Sequence, residues 1–272
     1  MRPTLATVCS LDAPLETVLE DYAAGHCEAV DLWLGHADAF VKMHGVAALR
    51  ERLARHGIAP VAASFQGGLL TSQGEARAEH WRTFAGRLAL CRDLGIPVLV
   101  VAGDAFGPLS PQDLGRLSMS LAEAAKQAAD AGVRLALEFD ARASFPNNLQ
   151  SAVAVVEEVG SPALGLCLDW FHYTVGPSKP LDLMLLSSDT LAHVQLSDIA
   201  DVPREMASDS DRILPGEGSS PPHDLVARLA EIGYTGAIAI ELHNPALWRV
   251  PPRQFGEIAI TALRKLLGQA AA

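Results

Sequence analysis

Four stretches of the chain each set an oxygen-bearing side chain into an otherwise apolar run: Leu135-Ala136-Leu137-Glu138-Phe139, Leu166-Cys167-Leu168-Asp169-Trp170, His193-Val194-Gln195-Leu196 and Ala239-Ile240-Glu241-Leu242. If each run is a β-strand, side chains alternate between faces, so the residue two places earlier shares a face with the polar one. Those residues are Ala136, Cys167, His193 and Ala239, three of them small. The intervening Leu137, Leu168, Val194 and Ile240 are bulky and suit a helix-facing side. Glu138, Asp169, Gln195 and Glu241 can therefore point to one side together. Three carboxylates converging on one place repel each other and lose hydration, a conflict that a divalent cation resolves. Any one of the four alone would read as a helix cap or loop contact. Together, at matching depth, they read as a metal site.

Short β-rich runs alternate with stretches of helical period along the whole chain. The expected strands are Leu5–Ser10, Ala29–Leu34, Ala59–Phe65, Val98–Gly103, Val133–Phe139, Leu164–Asp169, Leu191–Leu196 and Ala237–Leu242. Between them the pattern predicts helices over Pro14–Ala24, Ala39–His56, Glu75–Asp93, Pro111–Ala131, Leu149–Val159, Leu181–Ser187, His223–Ile232 and Pro251–Leu267. Glycines such as Gly57, Gly95 and Gly132 stand where a helix must turn before the next strand. Eight such units with no dividing linker predict an α/β fold, a single closed (β/α)8 barrel spanning residues 1–272. An open doubly wound sheet would carry a glycine-rich phosphate turn after its first strand, and Val8-Cys9-Ser10-Leu11-Asp12 offers none. In a barrel the active site lies at the C-terminal ends of the strands, where the four polar residues fall.

The chain has 21 basic against 32 acidic residues, a formal net charge of -11, so no basic footprint for nucleic acid or anionic lipid is expected. No apolar run is long enough to span a membrane, and the opening Met1–Val8 does not read as a signal peptide. Cys9, Cys27, Cys91 and Cys167 are scattered without metal-ribbon spacing and are expected as buried free thiols. A cytoplasmic location follows as an expectation.

The motifs LALEF, CLDWFH, HVQLSD, DRILPGEG and IELHNP, in this order and strand placement, resemble the xylose-isomerase-like barrel superfamily, in particular its sugar phosphate isomerase/epimerase group. The resemblance implies that Glu138, Asp169 and Glu241 bind a divalent metal (Mn2+, Mg2+, Co2+ or Zn2+) and that the two glutamates also move protons on either face of a ketose. It implies substrate contacts for His172 and Arg212. Many members carry His-x-His on the seventh strand with the second histidine as ligand; here that place holds Gln195. Its neutral carbonyl oxygen makes the shell all oxygen, which favours Mg2+ or Mn2+ over Zn2+ or Co2+. Glutamine here also resembles the 3-dehydroshikimate dehydratase branch. Relatives of this kind are often dimers or tetramers, so a homo-oligomer is expected by analogy.

Two reactions follow from these groups. One is aldose–ketose isomerisation or epimerisation by proton abstraction next to a carbonyl, through an ene-diolate, on a small-molecule ketose. The alternative is dehydration of a cyclic polyol ketone of dehydroshikimate or inosose type, which begins with the same enolisation. A DNA-repair endonuclease on this barrel would need a multinuclear, histidine-rich cluster and suits an acidic chain poorly; a non-catalytic ligand-binding barrel is the remaining class. Gln66 after the third strand and His243 after the eighth are further candidates for substrate contact, with Asp104, Asp198 and Asn244 weaker ones. The long stretch Ile199–Pro222 carries Arg212 and shows no helical pattern, so it is expected as a functional loop.

Overall fold

Near-continuous apolar runs of this kind pair as parallel strands covered by helices. The computed structural model, which describes residues 1–269, contains β1 (Arg2–Ala6), β2 (Ala29–Trp33), β3 (Ala59–Gln66), β4 (Val98–Gly103), β5 (Arg134–Phe139), β6 (Leu164–Asp169), β7 (Leu191–Leu196), β8 (Asp198–Ile199), β9 (Arg212–Ile213) and β10 (Ala237–Ile240). Eight of them close a barrel in the order β1-β10-β7-β6-β5-β4-β3-β2, and β8 with β9 forms a separate two-stranded pair. The fold is the expected (β/α)8 barrel.

The helices are α1 (Leu15–Ala24), α2 (Leu34–His44), α3 (Val46–His56), α4 (Gly74–Leu94), α5 (Pro111–Asp130), α6 (Leu149–Val159), α7 (Trp170–Val175), α8 (His223–Glu231), α9 (Pro245–Trp248) and α10 (Pro252–Leu266). Among the described residues no helix is long and apolar enough to cross a membrane. All four cysteines are free and buried.

Two compact units make up the chain, Ser64–His193 and the combination of Met1–Ala63 with the segment from Val194 onward. Within the former, Ala102 pairs with Glu138 and Glu138 with Cys167. Paired residues of a parallel ladder face the same way; Val100 and Ala136, one step below Glu138, form a fully buried cluster with Cys167. Leu137, paired with Leu166, occupies the opposite face. Within the other unit Thr4 pairs with Ala239, and Ala239 with Gln195.

Three sequence expectations are corrected. The first strand is Arg2–Ala6, and the apolar Thr7–Ser10 is a 3-10 helix. The helix expected over residues 39–56 is two helices broken at Gly45, whose φ of 82° and ψ of 161° belong to glycine alone. The segment expected as Leu181–Ser187 is a 3-10 helix over Pro180–Leu185.

Candidate functional site

Asp169 ends β6 and at the same time N-caps α7, its Oδ1 accepting the Phe171 N–H at 2.8 Å. That cap fixes the start of a one-turn-and-a-half helix whose third residue is His172. The imidazole therefore folds back over the strand end, with Nε2 3.7 Å from Asp169 Oδ2 and 3.8 Å from Glu138 Oε1. All three side chains are buried, and each offers one ligand atom within 4.8 Å of the other two. The far edge of the ring is held as well: Nδ1 accepts the Ala141 N–H at 3.4 Å and lies 3.6 Å from Asp140 Oδ1.

Two buried carboxylates against one imidazole leave local negative charge that a cation relieves, and two hard oxygens beside one nitrogen suit a divalent ion. The group fits a metal. The resemblance gives His172 a substrate contact; coordination through Nε2 would need the ring proton on Nδ1, facing Asp140, in place of the Ala141 bond. The helix-cap role weighed for Asp169 is real and coexists with its place in the cluster, because one oxygen serves each.

In the other unit, Gln195 Nε2 donates to Glu241 Oε1 at 3.0 Å, with both residues buried. The Gln195 amide is thereby oriented, nitrogen toward Glu241. His243 Nε2 stands 3.6 Å from the same Oε1, and its ring meets Trp33 edge-on at 5.1 Å. The backbone of Glu241 is bracketed by Cys9, whose Sγ donates to Ile240 O at 3.4 Å and accepts the Leu242 N–H at 3.2 Å. Burial pushes this thiol far above the ordinary cysteine range, so it stays neutral. Arg212 is buried, with Nε on Asp209 Oδ1 at 3.0 Å, and its carbonyl accepts from Asn244 Nδ2 at 3.1 Å.

Gln66 closes β3 but its amide is engaged locally: Oε1 accepts from Arg87 Nη1 at 3.1 Å and Nε2 donates to Gly67 O at 2.7 Å. These two bonds tie Gln66 to α4 and to the loop after β3. Asp104 accepts the Gly68 N–H at 2.6 Å through Oδ2, while its Oδ1 is buried without a hydrogen-bond partner.

Two acidic residues escaped the sequence reading. Asp140 approaches His172 directly. Asp31 is fully buried on β2, in register with Ala6, and so shares a face with Thr4, Ala239 and Gln195. The signal for Asp31 was there: one carboxylate inside Ala29-Val30-Asp31-Leu32-Trp33.

The family model described as xylose isomerase-like TIM barrel matches residues 22–266. An inosose isomerase from Halalkalibacterium halodurans is 29% identical over 170 residues, a match covering 61% of this chain and 60% of that protein. An inosose isomerase from Bacillus velezensis is 26% identical over 214 residues, covering 78% and 76% respectively. The crystal structure of IolI protein with a bound zinc atom has the same fold, with a TM-score of 0.92 over the whole of both chains at 21% identity. With a match that runs over nearly all of the barrel, the chain belongs to the xylose isomerase-like TIM-barrel family.

Proposed function

We propose that this protein is a divalent-metal-dependent isomerase or epimerase of a polyhydroxylated ketone, acting by proton transfer next to the carbonyl. The observation that carries this reading is the buried Glu138–Asp169–His172 group at the exits of β5 and β6, where two carboxylates and an imidazole share one space. The inosose isomerases among its relatives support it, since an inosose is a cyclic polyol ketone and moving its carbonyl requires an ene-diol.

In this reading Glu138, Asp169, Gln195 and Glu241 hold one cation; the first three stand on β5, β6 and β7, and Glu241 directly follows β10. The cation, when bound, supplies a Lewis acid that acidifies the carbon next to the ketone. Four oxygen donors suit Mg2+ or Mn2+; the His172 imidazole adds the nitrogen that Zn2+ or Co2+ would take. Glu138 and Glu241 remove and return the proton. Gln195 Nε2, donating to Glu241 Oε1, fixes the plane of that carboxylate. His172, Arg212 and His243 hold hydroxyls and the oxygen on which negative charge develops.

The test is to measure bound metal in the purified protein, then incubate it with ketoses and inososes in deuterated water, with and without chelator. Deuterium enters next to the carbonyl, and an epimer or positional isomer accumulates only with metal present. A dehydrated, ultraviolet-absorbing product assigns the chain to the dehydratases instead. Failure of the folded protein to retain any divalent metal sinks the reading.

A further inference from the structure

Asp198 lies directly beyond β7, fully buried, and no positive side chain is needed to hold it there because its carboxylate takes three backbone amides. Oδ1 accepts the N–H of Ile199 at 2.8 Å and of Ser220 at 2.7 Å, and Oδ2 accepts that of Gly216 at 3.0 Å. These donors stand 1, 18 and 22 residues along the chain, so one side chain ties the outgoing and returning ends of the 199–220 loop to the strand exit.

The loop is also laced to Asp198's own backbone. Asp198 pairs with Ile213, and Ile199 with Arg212, in the β8–β9 ladder. Ala200 N donates to Asp211 O at 2.9 Å, and Ser219 N to Ile199 O at 3.0 Å. Gly218 runs so close that a Cβ there would sit 2.6 Å from Asp198 Oδ1, which only glycine avoids. Arg212 is the residue this framework carries.

We infer that Asp198 is the positioning residue for Arg212: its carboxylate gathers the loop so that the guanidinium is presented from a fixed backbone, and Asp198 itself stays off the substrate. This rests on the reading above only in giving Arg212 a substrate to hold. The chemistry demands a carboxylate. Asparagine is isosteric but offers a single acceptor oxygen, and its NH2 would face an amide N–H, so at least one of the three bonds is lost and a donor is set against a donor.

The experiment uses the full chain and two readouts. The first needs no substrate: amide and Arg Nε–H hydrogen exchange followed by NMR, with the Arg212 side-chain signal identified by its loss in Arg212→Lys. In the parent protein the amides of Gly216 and Ser220 and the Arg212 Nε–H exchange slowly. In Asp198→Asn all three exchange at least tenfold faster while the β5 and β6 amides stay protected. If they stay slow in Asp198→Asn, the inference is overturned whatever the enzyme does. Asp198→Ser, which shortens the side chain and keeps a single acceptor, gives the same signature and serves if Asp198→Asn folds poorly.

The second readout is a kinetic cycle. Asp198→Asn lowers kcat/KM by about 100-fold, the loss expected from a small displacement of a binding group. In an Arg212→Ala background the same change costs less than about threefold, because the residue it acts through is gone. Losses that multiply across the two backgrounds overturn the inference. If no ketone is turned over at all, the isomerase reading fails and the exchange readout alone decides this one.

Discussion

Gln195 sets the character of the proposed metal shell, because an amide oxygen replaces a histidine nitrogen while its NH2 fastens Glu241. Replacing Gln195 with His introduces a softer nitrogen donor and frees Glu241 Oε1. Competition binding read by metal analysis should then shift toward Zn2+ over Mg2+ by at least about tenfold; an unchanged preference would remove Gln195 from the shell. Glu241→Gln and Glu138→Gln should each lower kcat by about 10²–10⁴ if they move protons, measured with the deuterium-exchange assay. Asp104 offers a pH test. Burial raises its carboxyl above the ordinary aspartate range, against the pull of the Gly68 amide. Folding thus favours the protonated form, so its contribution is fully present below the unfolded pKa and lost as pH rises through the folded one. Asp104→Asn should therefore raise Tm at pH 7 and leave it nearly unchanged near pH ~3; a lower Tm at pH 7 contradicts the assignment. Of the candidate site, strand alternation in the sequence picks out Glu138, Asp169 and Gln195 at the ends of β5, β6 and β7, and Glu241 just past β10. It conceals Asp140, whose link to His172 depends on the turn after β5, and the hydrogen bond that Gln66 accepts from Arg87 of α4.

Among the elements, β4, β6 and β7 begin and end at the residues that their apolar runs indicate. β1 did not, because Val8-Cys9 is as apolar as a strand whereas Arg2 and Pro3, which pair with Ala237 and Ile238, look like a polar lead-in. A hydrophobicity pattern reports burial, and a buried 3-10 turn satisfies it as well as a strand does. The α2–α3 break was hidden for a similar reason: residues on both sides of Gly45 keep helical periodicity, and only the backbone angles separate them. Nothing crowds a Cβ at Gly45, so Gly45→Ala isolates backbone strain. It should cost about 1–3 kcal/mol in chemical denaturation, and a neutral result would mean the break relaxes into one helix. The pairing of β8 with β9 was illegible because each contributes only two residues, fewer than any alternation needs.

At the scale of the whole molecule, a cation bound only by the folded state adds to stability by mass action. Chelation after full loading should lower Tm by about 5–10 °C, from ~2.7 kcal/mol at a hundredfold excess over Kd for a chain of this length. Re-addition of metal should restore it, and a Tm indifferent to chelator would contradict a resident ion. The bracket that Cys9 builds around the Glu241 peptide has a separate use. Its sulfur is sealed from solvent and held as the inert thiol, so an alkylating reagent meets it only when the β1 and β10 strand ends part. The labelling rate at this one atom is a built-in stopwatch for how often the end of β10 comes loose from its neighbour.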